Sequence, residues 1–150
     1  SDGVQPLRSA PSGGALYPLE LTLAVRRIDG LAPGLYRYDP LDDVLEAERE
    51  GQVGIAATTP FAEIAGSAAV VLIVSAMFWR SRFKYGLRGY RFVLLEAGHV
   101  AQNVLLAATA LGLAAVPLGG FYDRRVDNLL GVNGVDESAL YLLCIGMPTL

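Results

Sequence analysis

The sequence predicts an α+β domain built around one buried strand and one long apolar helix. Three observations carry this reading. Residues 68–76 are apolar without alternation, as in a strand covered on both faces. Residues 19–28 alternate instead: Leu19, Leu21, Leu23 and Val25 stand against Glu20, Thr22, Ala24 and Arg26, as in a strand with two unlike faces. Residues 90–113 are apolar nearly all round a helix, and the elements follow one another without regular strand–helix–strand alternation.

The other elements follow in order. Residues 1–18 are rich in Pro, Ser and Gly and read as an irregular arm. Asp29-Gly30 and Pro33-Gly34 punctuate a hairpin-like connection into Leu35-Tyr36-Arg37-Tyr38. Asp39-Pro40 turns the chain again, and residues 44–47 form a short edge strand. A helical turn at 61–65 leads into the buried strand, and residues 78–85 are helical. The long helix stops near Gly112, and Val116 and Leu118 mark an extended piece ending at Gly119-Gly120. Residues 123–130 form a helix with Asp123 as N-cap and Gly131 as its stop, and residues 138–145 are the last strand. No repeat or linker divides residues 1–150, which read as one domain.

Composition narrows the function classes. With 53% apolar and 18% charged residues, the chain has too little polar surface to coat a monomer, so a second copy is expected to cover part of it. A net charge of −3 argues against nucleic acid as a partner. Cys144 is the one cysteine, which leaves no internal disulfide and no cysteine-based zinc site. It reads as a small buried hydrophobe, in keeping with a cytoplasmic location. Residues 92–120 contain Glu96, His99, Gln102 and Asn103 and do not read as a membrane span. The chain opens without a signal-peptide pattern and without Met, as expected of a processed chain or a fragment.

Four stretches carry candidate chemistry. Glu96, His99 and Asn103 share one face of the long helix, a polar stripe expected to be buried and hydrogen-bonded as a structural network or dimer seam. One Glu-x-x-His unit without a second copy makes no metal centre. Arg80, Arg82, Lys84, Arg88 and Arg91 crowd residues 80–91 of an acidic chain, which suggests an anionic ligand. Within that cluster, Lys84-Tyr85 suits a general base, its amine shifted from roughly 10.4 toward 7–8 by burial and neighbouring cations. The alternative is a solvated basic face. The loop from Arg8 to Pro18 offers glycines, a Ser hydroxyl and an Arg to a phosphate or a polar ring edge, but has no Walker pattern. The fourth stretch is Gly119-Gly120, where unshielded backbone amides would admit a flat ligand or simply make a turn.

Together, in this order, the four stretches resemble the nitroreductase superfamily, and within it the SagB-type or McbC-like thiazoline/oxazoline dehydrogenases. The resemblance rests on Pro11-Ser12-Gly13-Gly14-Ala15-Leu16-Tyr17-Pro18-Leu19-Glu20, on Gly34-Leu35-Tyr36-Arg37-Tyr38-Asp39-Pro40 and on Lys84-Tyr85-Gly86. Glu96-Ala97-Gly98-His99-Val100-Ala101-Gln102-Asn103 and Gly112-Leu113 with Gly119-Gly120-Phe121 complete it. It implies a three-layer α/β/α sandwich in an intertwined homodimer with FMN at the dimer interface. It further implies that Arg8, Pro11, Ser12, Gly13, Gly14, Leu16, Leu118, Gly119 and Gly120 bind the cofactor and that Lys84 and Tyr85 act in catalysis. The implied reaction is dehydrogenation of an azoline ring in a peptide, or in a small molecule, alongside companion biosynthetic enzymes. Residues 1–150 are expected not to include the family's N-terminal phosphate-clamp helix, with Arg124 or Arg125 a candidate substitute. Two other readings stay open: an NAD(P)H-dependent nitro or quinone reductase, and a flavin-free structural or peptide-binding homologue.

Overall fold

The computed structural model describes residues 8–148. Its six strands are β1 (Leu19–Val25), β2 (Gly34–Asp39), β3 (Val44–Glu50), β4 (Val70–Met77), β5 (Ala114–Leu118) and β6 (Glu137–Gly146). Its helices are α1 (Ala62–Ser67), α2 (Trp79–Tyr85), α3 (Arg88–Ala110) and α4 (Asp123–Leu130). The strands form one sheet in the order β3-β2-β1-β4-β6-β5, every neighbouring pair antiparallel.

The buried run lies where its pattern requires. β4 sits between β1 and β6, and every residue from Val70 to Ala76 is buried. One face of the sheet packs Leu72, Val74 and Leu143 under Val93, Ala97 and Ala101 of α3. The opposite face packs Val71, Ile73 and Leu142 under Ala65 of α1, Val126 of α4 and Ile55 of a short 3-10 turn. Two helical layers thus enclose one sheet, the expected α/β/α sandwich. Cys144 lies in the core at the edge of the second face, and burial pushes its thiol up to about 11.

Several boundaries differ from expectation for local reasons. β1 stops at Val25 because the N–H groups of Arg26 and Arg27 both turn to the carbonyl of Ala69, each at 3.0 Å. β3 is longer than the expected 44–47 and wholly exposed, with Arg37 of β2 paired to Glu46 at 2.9 Å across the ladder. Asp123 does not cap α4. Tyr122 occupies the N-cap without a side-chain bond, and Asp123 lies in the first turn, where its charge meets the positive end of the helix. Gly131 ends that helix in the left-handed conformation, φ 72°. Residues 1–7 of the predicted arm lie outside the described residues.

α3 is long and apolar enough, by length and composition alone, to cross a membrane. Here it is seated on the sheet along one side. Leu94, Leu95 and Leu106 on its outer side remain 58–60% exposed. The outermost strand on that flank, β5, carries Pro117 opposite Leu143.

Ile73, fully buried at the centre of the sheet, measures the strength of this packing. Ile73→Ala is expected to cost about 2–5 kcal/mol, read as a lower urea midpoint at unchanged m.

Candidate functional site

The glycine loop ahead of β1 is held in an unusual backbone shape. Gly14, Ala15 and Tyr17 have φ of 68°, 54° and 44°, and the two non-glycine residues adopt that region only under constraint. Ser12 supplies much of it: its carbonyl accepts from the Ala15 N–H at 3.0 Å, and its Oγ accepts from the Tyr17 N–H at 2.9 Å. Arg80 donates to the Tyr17 carbonyl at 3.2 Å, and the Arg8 guanidinium lies 4.6 Å from the centre of the Tyr17 ring. The Met77 N–H donates to the Pro18 carbonyl at 2.8 Å, tying the end of the loop to β4.

Ser12 also reaches across the molecule. Its hydroxyl donates to Glu96 Oε2 on α3 at 2.6 Å. Glu96 is 5% exposed, and burial raises its carboxyl above the usual carboxylate range, opposed by the Ser12 hydrogen bond and the charges of Arg8 and His99. The expected buried stripe therefore holds for Glu96. Within the single chain His99 is exposed and Asn103 half-buried, so this chain's own fold does not bury the rest of the stripe. Three residues along a helix leave His99 about 60° off the Glu96 direction, enough to turn it toward solvent.

Lys84 and Tyr85 end α2 and lie against the same loop. A Cβ on Gly14 would sit 3.1 Å from Lys84 Nζ and would collide with Tyr85 Oη, so glycine is what admits the pair. Tyr85 is held edge-on against Phe92 of α3, ring centres 4.9 Å apart at 87°. Lys84 itself is exposed, so the burial expected for a lysine base is not supplied by this chain's own fold.

The cation cluster does not converge on one anion. Arg80 is ion-paired with Glu20, and Arg82 lies over the Tyr90 ring at 5.0 Å. Arg88 and Arg91 are exposed on the next helix. Residues two apart on a helix point about 200° apart, which disperses what looked contiguous in sequence. Arg125, a candidate clamp, donates to the Ala57 carbonyl at 2.7 Å and stacks on Tyr122. Arg124 is exposed.

Leu118 is buried, while Gly119 and Gly120 beyond it are exposed. Their N–H groups have no acceptor among the described residues, although the Gly120 carbonyl accepts from Thr59 Oγ1 at 2.7 Å. The antiparallel registers bring this turn to the same end of the sheet as the Ser12 loop. Between them run β4 and β6, a separation of roughly 14 Å at about 4.8 Å per strand. One chain therefore joins Ser12, Gly14, Lys84 and Tyr85 but does not bring Gly119-Gly120 to them. Pro11 is exposed and Leu16 half-buried on the loop.

A cavity of about 480 Å³ opens between β1, the end of β2 and α3, with Arg8, Tyr17, Tyr38, Glu96, Asn103 and Val104 among its walls. Of the predicted cofactor residues, Arg8 alone lines it. Among the described residues no group of His, Cys, Asp and Glu is arranged to hold a metal ion. Glu96 as the partner of Ser12 was not foreseen. Its signal was there, a carboxylate on a helix otherwise apolar all round.

The raised Glu96 pKa carries a stability consequence. The folded chain holds that proton more tightly than the unfolded one, so the contribution is fully present below pH 4.5 and is lost as pH rises through the folded value. Melting temperatures of the native chain, relative to those of Glu96→Gln, are expected to fall across that window.

Comparison with known proteins agrees with this architecture. The model of the nitroreductase family matches residues 4–147. A Methanocaldococcus jannaschii protein named as a nitroreductase, MJ1384, is 38% identical over 93% of this chain and 70% of its own length. The microcin B17-processing protein McbC of Escherichia coli is 31% identical over 84% of this chain. This chain spans about half of McbC, 49% of its length. The E. coli microcin synthetase McbBCD complex, solved with truncated pro-MccB17 bound, superposes with a TM-score of 0.80 at 26% identity, covering all of this chain and 59% of that one. A nitroreductase-type structure from Desulfovibrio desulfuricans, solved in complex with FMN, superposes with a TM-score of 0.63 at 26% identity, over 95% of this chain and 68% of that one. By sequence and by fold, the chain belongs to the nitroreductase family.

Proposed function

We propose that this chain is the catalytic part of an FMN-dependent oxidoreductase that dehydrogenates a thiazoline or oxazoline ring in a peptide to the thiazole or oxazole. The observation that carries the reading is the seating of Lys84 and Tyr85 against Gly14: a base and a phenol beside a glycine backbone that keeps the approach open. The likeness to McbC and to a microcin synthetase complex with truncated pro-MccB17 bound supports a peptide substrate and companion biosynthetic enzymes.

The residues suit a flavin. Gly119 and Gly120 offer two N–H donors without acceptors among the described residues, as a polar ring edge requires. The exposed Arg8, stacked on Tyr17 with no ion-pair partner among the described residues, is available to a phosphate or to that edge. Gly14 faces the reactive pair directly, and Gly13 lies against Phe92, which braces Tyr85. A homodimer would serve each site with the Ser12 loop of one subunit and the Gly119-Gly120 turn of the other, which overcomes their separation within one chain. The exposed leucines of α3 are the surface for that pairing.

FMN, when bound, supplies the two-electron acceptor. Lys84 would take a proton from one carbon of the azoline ring, and bound FMN would supply the acceptor for the hydrogen and bonding pair that leave the neighbouring carbon. The ring thereby loses two hydrogens and becomes aromatic. Tyr85, braced by Phe92, lies beside the proton-accepting amine, whose Nζ stands 5.4 Å from the centre of its ring. The exposure of Lys84 favours a second reading, a nitro or quinone reductase, which needs no base.

Two measurements separate these readings, and a third tests the dimer. Purified protein mixed with FMN is expected to keep the two visible bands of oxidised flavin after desalting; a colourless protein would favour a flavin-free role. Lys84→Ala is expected to keep the flavin but lose about 10²–10⁴-fold in azoline oxidation, while undiminished turnover would favour the reductase. Light scattering is expected to report a dimer, and Leu95→Glu a monomer.

A further inference from the structure

We propose that Glu96 is a positioning residue that sets the hydrogen-bonding polarity of Ser12 and clamps the glycine loop toward the cofactor; this rests on the flavin reading above. A serine hydroxyl has one proton to give and two lone pairs to offer. In this structure the Tyr17 N–H occupies one lone pair at 2.9 Å, and Glu96 Oε2 takes the proton at 2.6 Å, the length of a hydroxyl-to-carboxylate bond. One lone pair is left. Ser12 can therefore meet a ligand only as an acceptor, which selects a ring N–H over a ring carbonyl. Oxidised flavin carries one such N–H, at N3, between two carbonyls.

The arrangement is well braced. Glu96 is 5% exposed on the sheet side of α3, between Val93 and Ala97, both in the core. Arg8 and His99 act on its carboxyl through charge, without a hydrogen bond that would compete with Ser12. The bond also spans 84 residues of sequence, so it fixes the loop relative to a rigid helix and not merely to its own neighbours. The left-handed Gly14, Ala15 and Tyr17 lie within the segment it closes, and Gly14 is the residue that faces Lys84 and Tyr85.

The test is a double-mutant cycle on Ser12→Ala and Glu96→Leu, with Glu96→Gln as the conservative variant, whose amide oxygen can still accept. Two quantities are read. One is hydrogen exchange of the 12–17 segment in flavin-free protein; the other is FMN affinity with the visible flavin spectrum. Ser12→Ala and Glu96→Leu are each expected to speed loop exchange and weaken FMN binding at least tenfold, and the double variant to be no worse than Ser12→Ala alone. Glu96→Leu is expected to shift the flavin band, and Glu96→Gln to restore affinity and band.

Additive effects would overturn the proposal, because Glu96 would then not act through Ser12. So would unchanged exchange and affinity in Ser12→Ala, which stands even if Glu96→Leu fails to fold. If the native chain takes up no FMN, the flavin reading fails. The exchange cycle then still decides the clamp: non-additive acceleration supports it, and unchanged or additive rates overturn it.

Discussion

The two-sided burial of β4 is the constraint on which the rest of the structure depends. A strand with no polar face cannot lie at a surface, so it must sit inside the sheet with a helical layer on each side. That places β1 and β6 beside it and brings α3 and α4 onto opposite faces. It also sets the end of the sheet at which the loop before β1 meets the helix after β4. The proximity of Gly14 to Lys84 and Tyr85 is thus a by-product of core packing, because both segments hang from the same end of paired strands.

Much of this was legible in the chain. The unbroken run at 68–76 and the helix at 123–130 appear at nearly their expected bounds, and the alternation expected over 19–28 appears over 19–25, since each rests on a periodicity that tertiary packing reinforces. Errors gathered at the ends. The arginines after β1 leave the ladder for the Ala69 carbonyl, a long-range bond that no local pattern announces. The N-cap of α4 fell to Tyr122, where the neighbouring backbone bond to Thr58 fixes the entry of the chain.

The site was legible as a set of residue types and illegible as a geometry. Glycine, lysine and tyrosine marked the right segments, but contiguity in sequence misled for the cations. Arg80 is spent on Glu20 and on the Tyr17 carbonyl, and Arg82 on an aromatic ring. Conversely, Ser12 and Glu96 stand 84 positions apart, and only the sheet brings them together. A buried carboxylate states that it has a partner without saying which one.

The two edges of the sheet carry a further consequence. β3 is fully exposed and lined with alternating charge, Glu46 and Glu48 among them, and β5 carries Pro117, which has no N–H to offer a neighbour. Among the described residues, both margins thus carry features that weaken them as templates for another strand. For any association of copies, backbone pairing at these margins, the route that leads to fibres, is thereby disfavoured relative to side-chain contact on the helical layers.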